Sequence, residues 1–175
     1  GATYTATATI SAWTGTNTKL GSDSNANALT IDNLSPNGAT ATSTSAGNQQ
    51  VTLNWTTSNS SDFSTSTILR WTASTTGSDV PAEGTEYALN TTIGSATVAC
   101  NRGDAASTAA TGTDGGGGVC SSTALTNGTT YSYKVFQKDS RGNYDIGVSL
   151  GSSTPGVVAT VSCSTNISST AFGTL

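Results

Sequence analysis

The chain has 175 residues, enough to bury a core in one domain, and carries a net charge of −4 from 6 basic and 10 acidic residues. Its few cations (Lys19, Arg70, Arg102, Lys134, Lys138, Arg141) are scattered and form no basic patch, which argues against nucleic acid. No apolar run reaches membrane-spanning length, and with no His the usual general base and transition-metal ligand are missing.

Ser and Thr make up roughly a third of the chain, far above ordinary usage. Disorder would remove aromatic and β-branched residues in alternation, and here they persist throughout. The expected class is all-β. The chain opens without Met and without a signal-peptide pattern, as expected of a processed or excised segment.

The first predicted strand is ATYTATATISAW, residues 2–13. Ala2, Tyr4, Ala6, Ala8, Ile10 and Ala12 alternate with Thr3, Thr5, Thr7, Thr9 and Ser11, a period of two. Residues 1–35 are read as an N-terminal extension. QVTLNW then places Val51, Leu53 and Trp55 on one face, STILRW follows as a second strand, and VPAEGTEY is a turn-rich link before the strand IGSATVAC. Further on, Tyr131, Tyr133 and Val135 alternate with Ser132, Lys134 and Phe136. Asn127-Gly128 and Arg141-Gly142-Asn143 supply turns on either side. In the tail, 157–175, Val157, Ala159, Val161, Cys163 and Ile167 alternate with Val158, Thr160, Ser162, Ser164 and Ser168, so a C-terminal strand extension is predicted.

Cys100 and Cys120 flank a Gly-rich stretch read as an insertion with little to bury. A disulfide between them would close that loop and contribute about 3 kcal/mol, in an oxidising, extracellular setting. Two free buried thiols are the alternative. Cys163 is left over, a free thiol or an intermolecular partner.

From residue 36 to about 155 the pattern resembles a divergent fibronectin type III module of bacterial surface and secreted proteins. The residues that carry the resemblance are Trp55, the run Leu125 to Val135 (L-x-x-x-T-x-Y-x-x-x-V), the VPAEGTEYALNTTIGSATV stretch and DSRGNY at 139–144. It implies an antiparallel β-sandwich over 36–156 with extra strands at both termini. It also implies a tyrosine corner at Tyr131 and a core of Val51, Leu53, Trp55, Leu125, Tyr131, Tyr133 and Val135. The Cys-flanked stretch departs from such modules. Phe136 lies opposite the Tyr131 face, and Trp71 is equally hard to place. Phe136 is covered either by a Lys134 or Lys138 stem or by another strand or subunit.

Motifs for chemistry are sparse. Gly147-Val148-Ser149-Leu150-Gly151 matches the letters G-x-S-x-G, but a nucleophile elbow needs a following helix and a His. No catalytic residues, cofactor or metal are assigned. Asp139, Asn143 and Asp145 share a turn, and Asp114 precedes four glycines; they are read as turn-capping groups, with calcium as the alternative. Arg102-Gly103-Asp104 matches the integrin-binding tripeptide and is read as accidental. Sequons stand at Asn33, Asn54, Asn59, Asn90, Asn127 and Asn166. Pro36 makes the first a poor acceptor; the other five are possible glycan sites.

The expected function is a non-enzymatic extracellular structural protein. It would be a subunit of a filament or surface polymer that self-associates through strand pairing, with Tyr4, Ile10, Trp13, Phe136 and Val161 as possible interface residues. The alternative is an adhesive or carbohydrate-binding spacer in a longer secreted protein.

Overall fold

A computed structural model describes residues 32–157. It contains eight strands and, among the described residues, no helix: β1 (Thr40–Gly47), β2 (Gln50–Thr56), β3 (Phe63–Trp71), β4 (Thr92–Ile93), β5 (Ala96–Arg102), β6 (Ala109–Asp114), β7 (Tyr131–Asp139) and β8 (Val148–Ser153). They form two antiparallel sheets, β1-β2-β6 and β4-β5-β3-β7-β8, stacked as a sandwich.

Alternation in β2 does what period-two patterning requires. Val51, Leu53 and Trp55 are buried, while Thr52, Asn54 and Thr56 are half-buried on the outer face. All seven residues expected in the core are there, with Trp55 1% and Tyr131 7% exposed. The hydroxyl of Tyr131 accepts from Thr126 N at 3.1 Å, tying the start of β7 to the turn before it. The Trp55 Nε1–H, a donor that must be satisfied once buried, donates to Ser66 Oγ at 3.0 Å.

β3 and β7 are buried on both faces over most of their length. The five-stranded sheet therefore has a second core on its outer side. Leu69, Trp71, Val98, Phe136 and Tyr144 form it, and Tyr87, Leu89 and Ile93 pack over them from the segment between β3 and β5. Phe136, expected among the possible interface residues, is 0% exposed, with Lys134 Nζ 5.2 Å from its ring centroid. Its cover comes from its own chain, and it takes no place on an exposed subunit surface of the described sandwich. Trp71 is buried in the same layer.

The stretch between the cysteines is not a loose insertion. It contains β6, which pairs with β2 from Val51↔Asp114 to Thr56↔Ala109. Its inward residues are Ala110, Gly112 and Asp114, small or polar, so no hydrophobic alternation marked it. Gly112 is required by contact: a Cβ there would collide with Cys120 Sγ. Cys100 and Cys120 are bonded, with a Cα separation of 3.9 Å and both residues buried. The disulfide thus sits in the inter-sheet core rather than at a loop mouth.

The described chain enters and leaves at opposite ends. Near the entry, Asn37 N donates to Ser60 Oγ at 2.9 Å and Asn143 Nδ2 to the Asp32 carbonyl at 3.3 Å. At the exit, Gly156 N donates to Gly47 O and Gly128 N to Pro155 O. Between these ends the edges are blunted. β1 is bulged between Thr40 and Ser43. Thr44 Oγ1 donates to the Ser152 carbonyl of β8, and Ser153 Oγ donates to Thr44 Oγ1. On β6 the Thr111 carbonyl accepts from Arg102 Nη1 at 2.6 Å.

Candidate functional site

The most heavily buried charge lies between the sheets. Asp114, at the end of β6, has a fully buried side chain and accepts from Arg70 Nη1 on both oxygens, at 3.0 and 2.9 Å. Tyr133 donates its hydroxyl to Asp114 Oδ2 at 3.0 Å. Arg70 also lies 5.6 Å from the Tyr131 ring centroid, a cation–π distance. Burial pushes the Asp114 carboxyl up, and the charge and hydrogen bonds of Arg70 hold part of that rise back. Burial first, and then the neighbouring carboxylate, raise the Tyr133 phenol far above its ordinary value. Asp114 is therefore committed to an internal ion pair.

Asp139 and Asp145, read as turn-capping groups with calcium as the alternative, use their carboxylates separately. Asp139 Oδ1 accepts from Arg141 N at 2.8 Å and Asn143 N at 2.9 Å, and its Oδ2 accepts from Asn143 Nδ2 at 2.7 Å. That is the turn-capping role. Asp145 turns away and accepts from Gln137 N at 2.9 Å and Gly147 N at 3.0 Å. A different trio converges at the entry end: carboxylate oxygens of Asp32, Asp62 and Asp139 lie within 4.8 Å of one another. They are hard oxygen donors, the class calcium selects, but calcium wants six to eight. Those of Asp139 are already taken by three donors.

Asp145 is 8% exposed and its Oδ2 has no hydrogen-bond partner. Burial pushes its carboxyl up to about 6, against the pull of the Gln137 and Gly147 amides and of Lys134. A folded value above the unfolded one favours the fold in acid. The contribution is complete below 3.8 and is lost as pH rises through about 6. From pH 5 to pH 7 Asp145 should withdraw about 1 kcal/mol. Urea denaturation of Asp145→Asn at both pH values is expected to show that increment gone; an unchanged increment would place its source elsewhere.

Arg102 Nε lies 2.9 and 2.7 Å from the two Asp104 oxygens. The Arg-Gly-Asp tripeptide is closed on itself, with its charges engaged by each other and not splayed toward a receptor. Ser149 lies on β8 and its Oγ accepts from Gly151 N at 3.2 Å; among the described residues neither an elbow nor a following helix surrounds it. Of the sequons, Asn54 is half-buried in mid-strand between β1 and β6. Asn127 uses both side-chain atoms, accepting from Gln49 N and donating to Asn48 Oδ1. Asn59 and Asn90 are exposed and each spends only its oxygen, on Asn37 Nδ2 and Ser121 Oγ respectively. Tyr4, Ile10, Trp13, Val161, Cys163 and Asn166 lie outside the described residues, as do most of both predicted terminal strands.

One set of charged residues escaped sequence reasoning. Lys138 has a side chain only 4% exposed, paired with Glu86 and lying 5.9 Å from the Tyr144 ring centroid. Asp79 accepts from Trp71 Nε1 at 3.0 Å and from Ser95 N and Oγ at 3.1 and 2.6 Å. The one available signal was that Asp79, Glu83 and Glu86 are the only charges in the long link after β3.

Among the described residues no helix is long and apolar enough to cross a membrane. Compared with protein-family models, curated proteins and solved structures, the chain matches none.

Proposed function

We propose that the chain is a non-enzymatic subunit of an extracellular filament or surface polymer, built on a fibronectin type III-like sandwich and joined by strand pairing between copies. The observation that carries this reading is the end-to-end path of the described chain. It enters beside Ser60 and Asn143 and leaves beside Gly47 and Gly128, at opposite ends of the sandwich. Alternating, strand-forming sequence continues beyond both points. Copies stacked end to end bring the leading segment of one near the trailing segment of the next, a heterologous contact that propagates when it does not close into a ring. Because the described edges are blunted, the two terminal segments are the natural partners for each other.

Several features support the module type. Lettering the seven longer strands A to G, one sheet is A-B-E and the other D-C-F-G. In the immunoglobulin constant arrangement D lies beside E; here β5 lies beside β3, as in the fibronectin type III variant. The Tyr131 hydroxyl, which accepts from backbone five residues upstream, matches the tyrosine corner of such sandwiches. The buried disulfide suits an oxidising, extracellular compartment.

Deletion of residues 1–13 tests the proposal. Light scattering and negative-stain microscopy of the secreted protein are expected to show filaments for the full chain and folded monomers for the truncated one. Dispersed full-length monomers that melt as cooperatively as the truncated protein would instead favour a spacer module in a longer secreted chain.

A further inference from the structure

The segment between β3 and β5 covers the outer face of the five-stranded sheet, and every charge it carries is a carboxylate used as a fastener. Asp79 clips Trp71 and Ser95 at one end. Glu83 Oε2 accepts from Tyr144 N at 2.9 Å. Glu86 pairs with Lys138. These contacts differ in kind from the apolar packing of Tyr87, Leu89 and Ile93, because they depend on ionisation. Lys138 is the critical member. Its side chain is nearly buried, whereas that of Glu86 is 74% exposed. Once Glu86 is neutral, the ammonium under the segment loses its ion-pair contact and keeps only the Coulombic support of Asp139, a state that costs free energy unless water reaches it.

We infer that residues 79–95 form an acid-releasable strap, which lifts off the sheet when its carboxylates are protonated and uncovers an apolar face of Leu69, Trp71, Val98, Phe136 and Tyr144. This goes beyond the filament proposal and does not depend on it. The ionisable groups facing the strap are few. From β7 come Lys134, over Phe136, and Lys138, with Asp139 next to it in the chain. From the loop before β8 come Tyr144 and the exposed Arg141. β3 and β5 contribute none, since Arg70 is turned to Asp114 and Arg102 to Asp104. Burial pushes the Lys138 ammonium below its ordinary value and the nearby Asp139 charge opposes that, but among the described ion pairs only Glu86 is in contact with Lys138 Nζ. The hydrogen bonds from Ser95 and Trp71 hold the Asp79 carboxyl below its ordinary 3.8, so its support is present above that value and is lost as pH falls through the folded value. The sandwich itself behaves oppositely, because the buried Asp114 and Asp145 are shifted upward. Acid thus loosens the strap while it favours the body beneath.

Hydrogen exchange, corrected for intrinsic rates and resolved by peptide, tests this on the full chain. Gly84 N, bonded to Gly142 O, and Asn90 N, bonded to Val98 O, report on the strap. Moving from pH 7 to about pH 3, below the ordinary carboxylate range, is expected to cut their protection about tenfold or more while β2 and β3 keep theirs. Glu86→Gln should show part of that loss already at pH 7. Lys138→Met, which removes the buried charge, should stay protected in acid. Equal strap protection at both pH values would overturn the inference, as would loss of β2 and β3 protection together with the strap. So would a Lys138→Met strap that opens at the same pH as the parent.

Discussion

Replacing Arg70 with alanine is expected to cost about 3–5 kcal/mol at pH 7, because it strands a buried carboxylate. Asp114 is fully buried, and apart from Arg70 the Tyr133 hydroxyl is its hydrogen-bond partner among the described residues. The size of the loss reflects the stranded charge rather than the net worth of the pair. Adding Asp114→Asn to the Arg70→Ala chain should therefore recover a large part of it. The pH dependence has a definite sign. Burial already raises the Asp114 carboxyl, and removing the guanidinium raises it further. A raised folded value gives stability that is complete below 3.8 and lost as pH rises through the folded value. The deficit of Arg70→Ala should accordingly narrow on acidification. Urea denaturation of parent, single and double variants at pH 7 and in mild acid measures all three statements. A loss below about 1 kcal/mol, with no recovery in the double variant, would mean that the pair behaves as an exposed surface bridge.

The parts of this architecture that were legible in the sequence are those where one physical cause acts alone. β2 shows clean alternation because its outer face is half-wet and its inner face meets the other sheet; Val51, Leu53 and Trp55 were readable for that reason. Tyr131 and Leu125 were readable because turn and strand signals adjoin. β6 was not legible. Its inward positions are Ala110, Gly112 and Asp114, chosen by the space beside the disulfide and by Arg70 across the sheets. Phe136 was legible as an anomaly but not as a solution, since a strand buried on both faces loses its alternation. The second core depends on a link whose turn-rich sequence gives no sign that it folds back over the sheet. In the same way, Asp139 and Asn143 could be placed in one turn from their spacing, but the convergence of Asp32 and Asp62 on Asp139 arises only from the tertiary path of the entry segment.

Phe136→Ala separates the two ways of covering that side chain. Its ring is completely buried within the described chain, in a layer that also holds Leu69, Trp71, Val98 and Tyr144. Gly147 passes so close, with a φ of 75°, that a Cβ there would collide with the ring and with the Lys134 stem. Neighbours on both sides of the ring belong to this chain, and the backbone of the sheet cannot collapse into the space the ring would leave. Truncation to alanine should then cost about 3–5 kcal/mol, the transfer free energy of the ring plus the cavity. The loss should appear in the isolated, monomeric protein and be independent of its concentration. A subunit interface at Phe136 would behave differently: monomer stability would barely change, and assembly would weaken in proportion to dilution. Ile146, 89% exposed on the loop before β8, is the matched control. Ile146→Ser is expected to stay within about 0.5 kcal/mol of the parent. Equal, small effects at both positions would place Phe136 on the surface and would remove the second core from the fold.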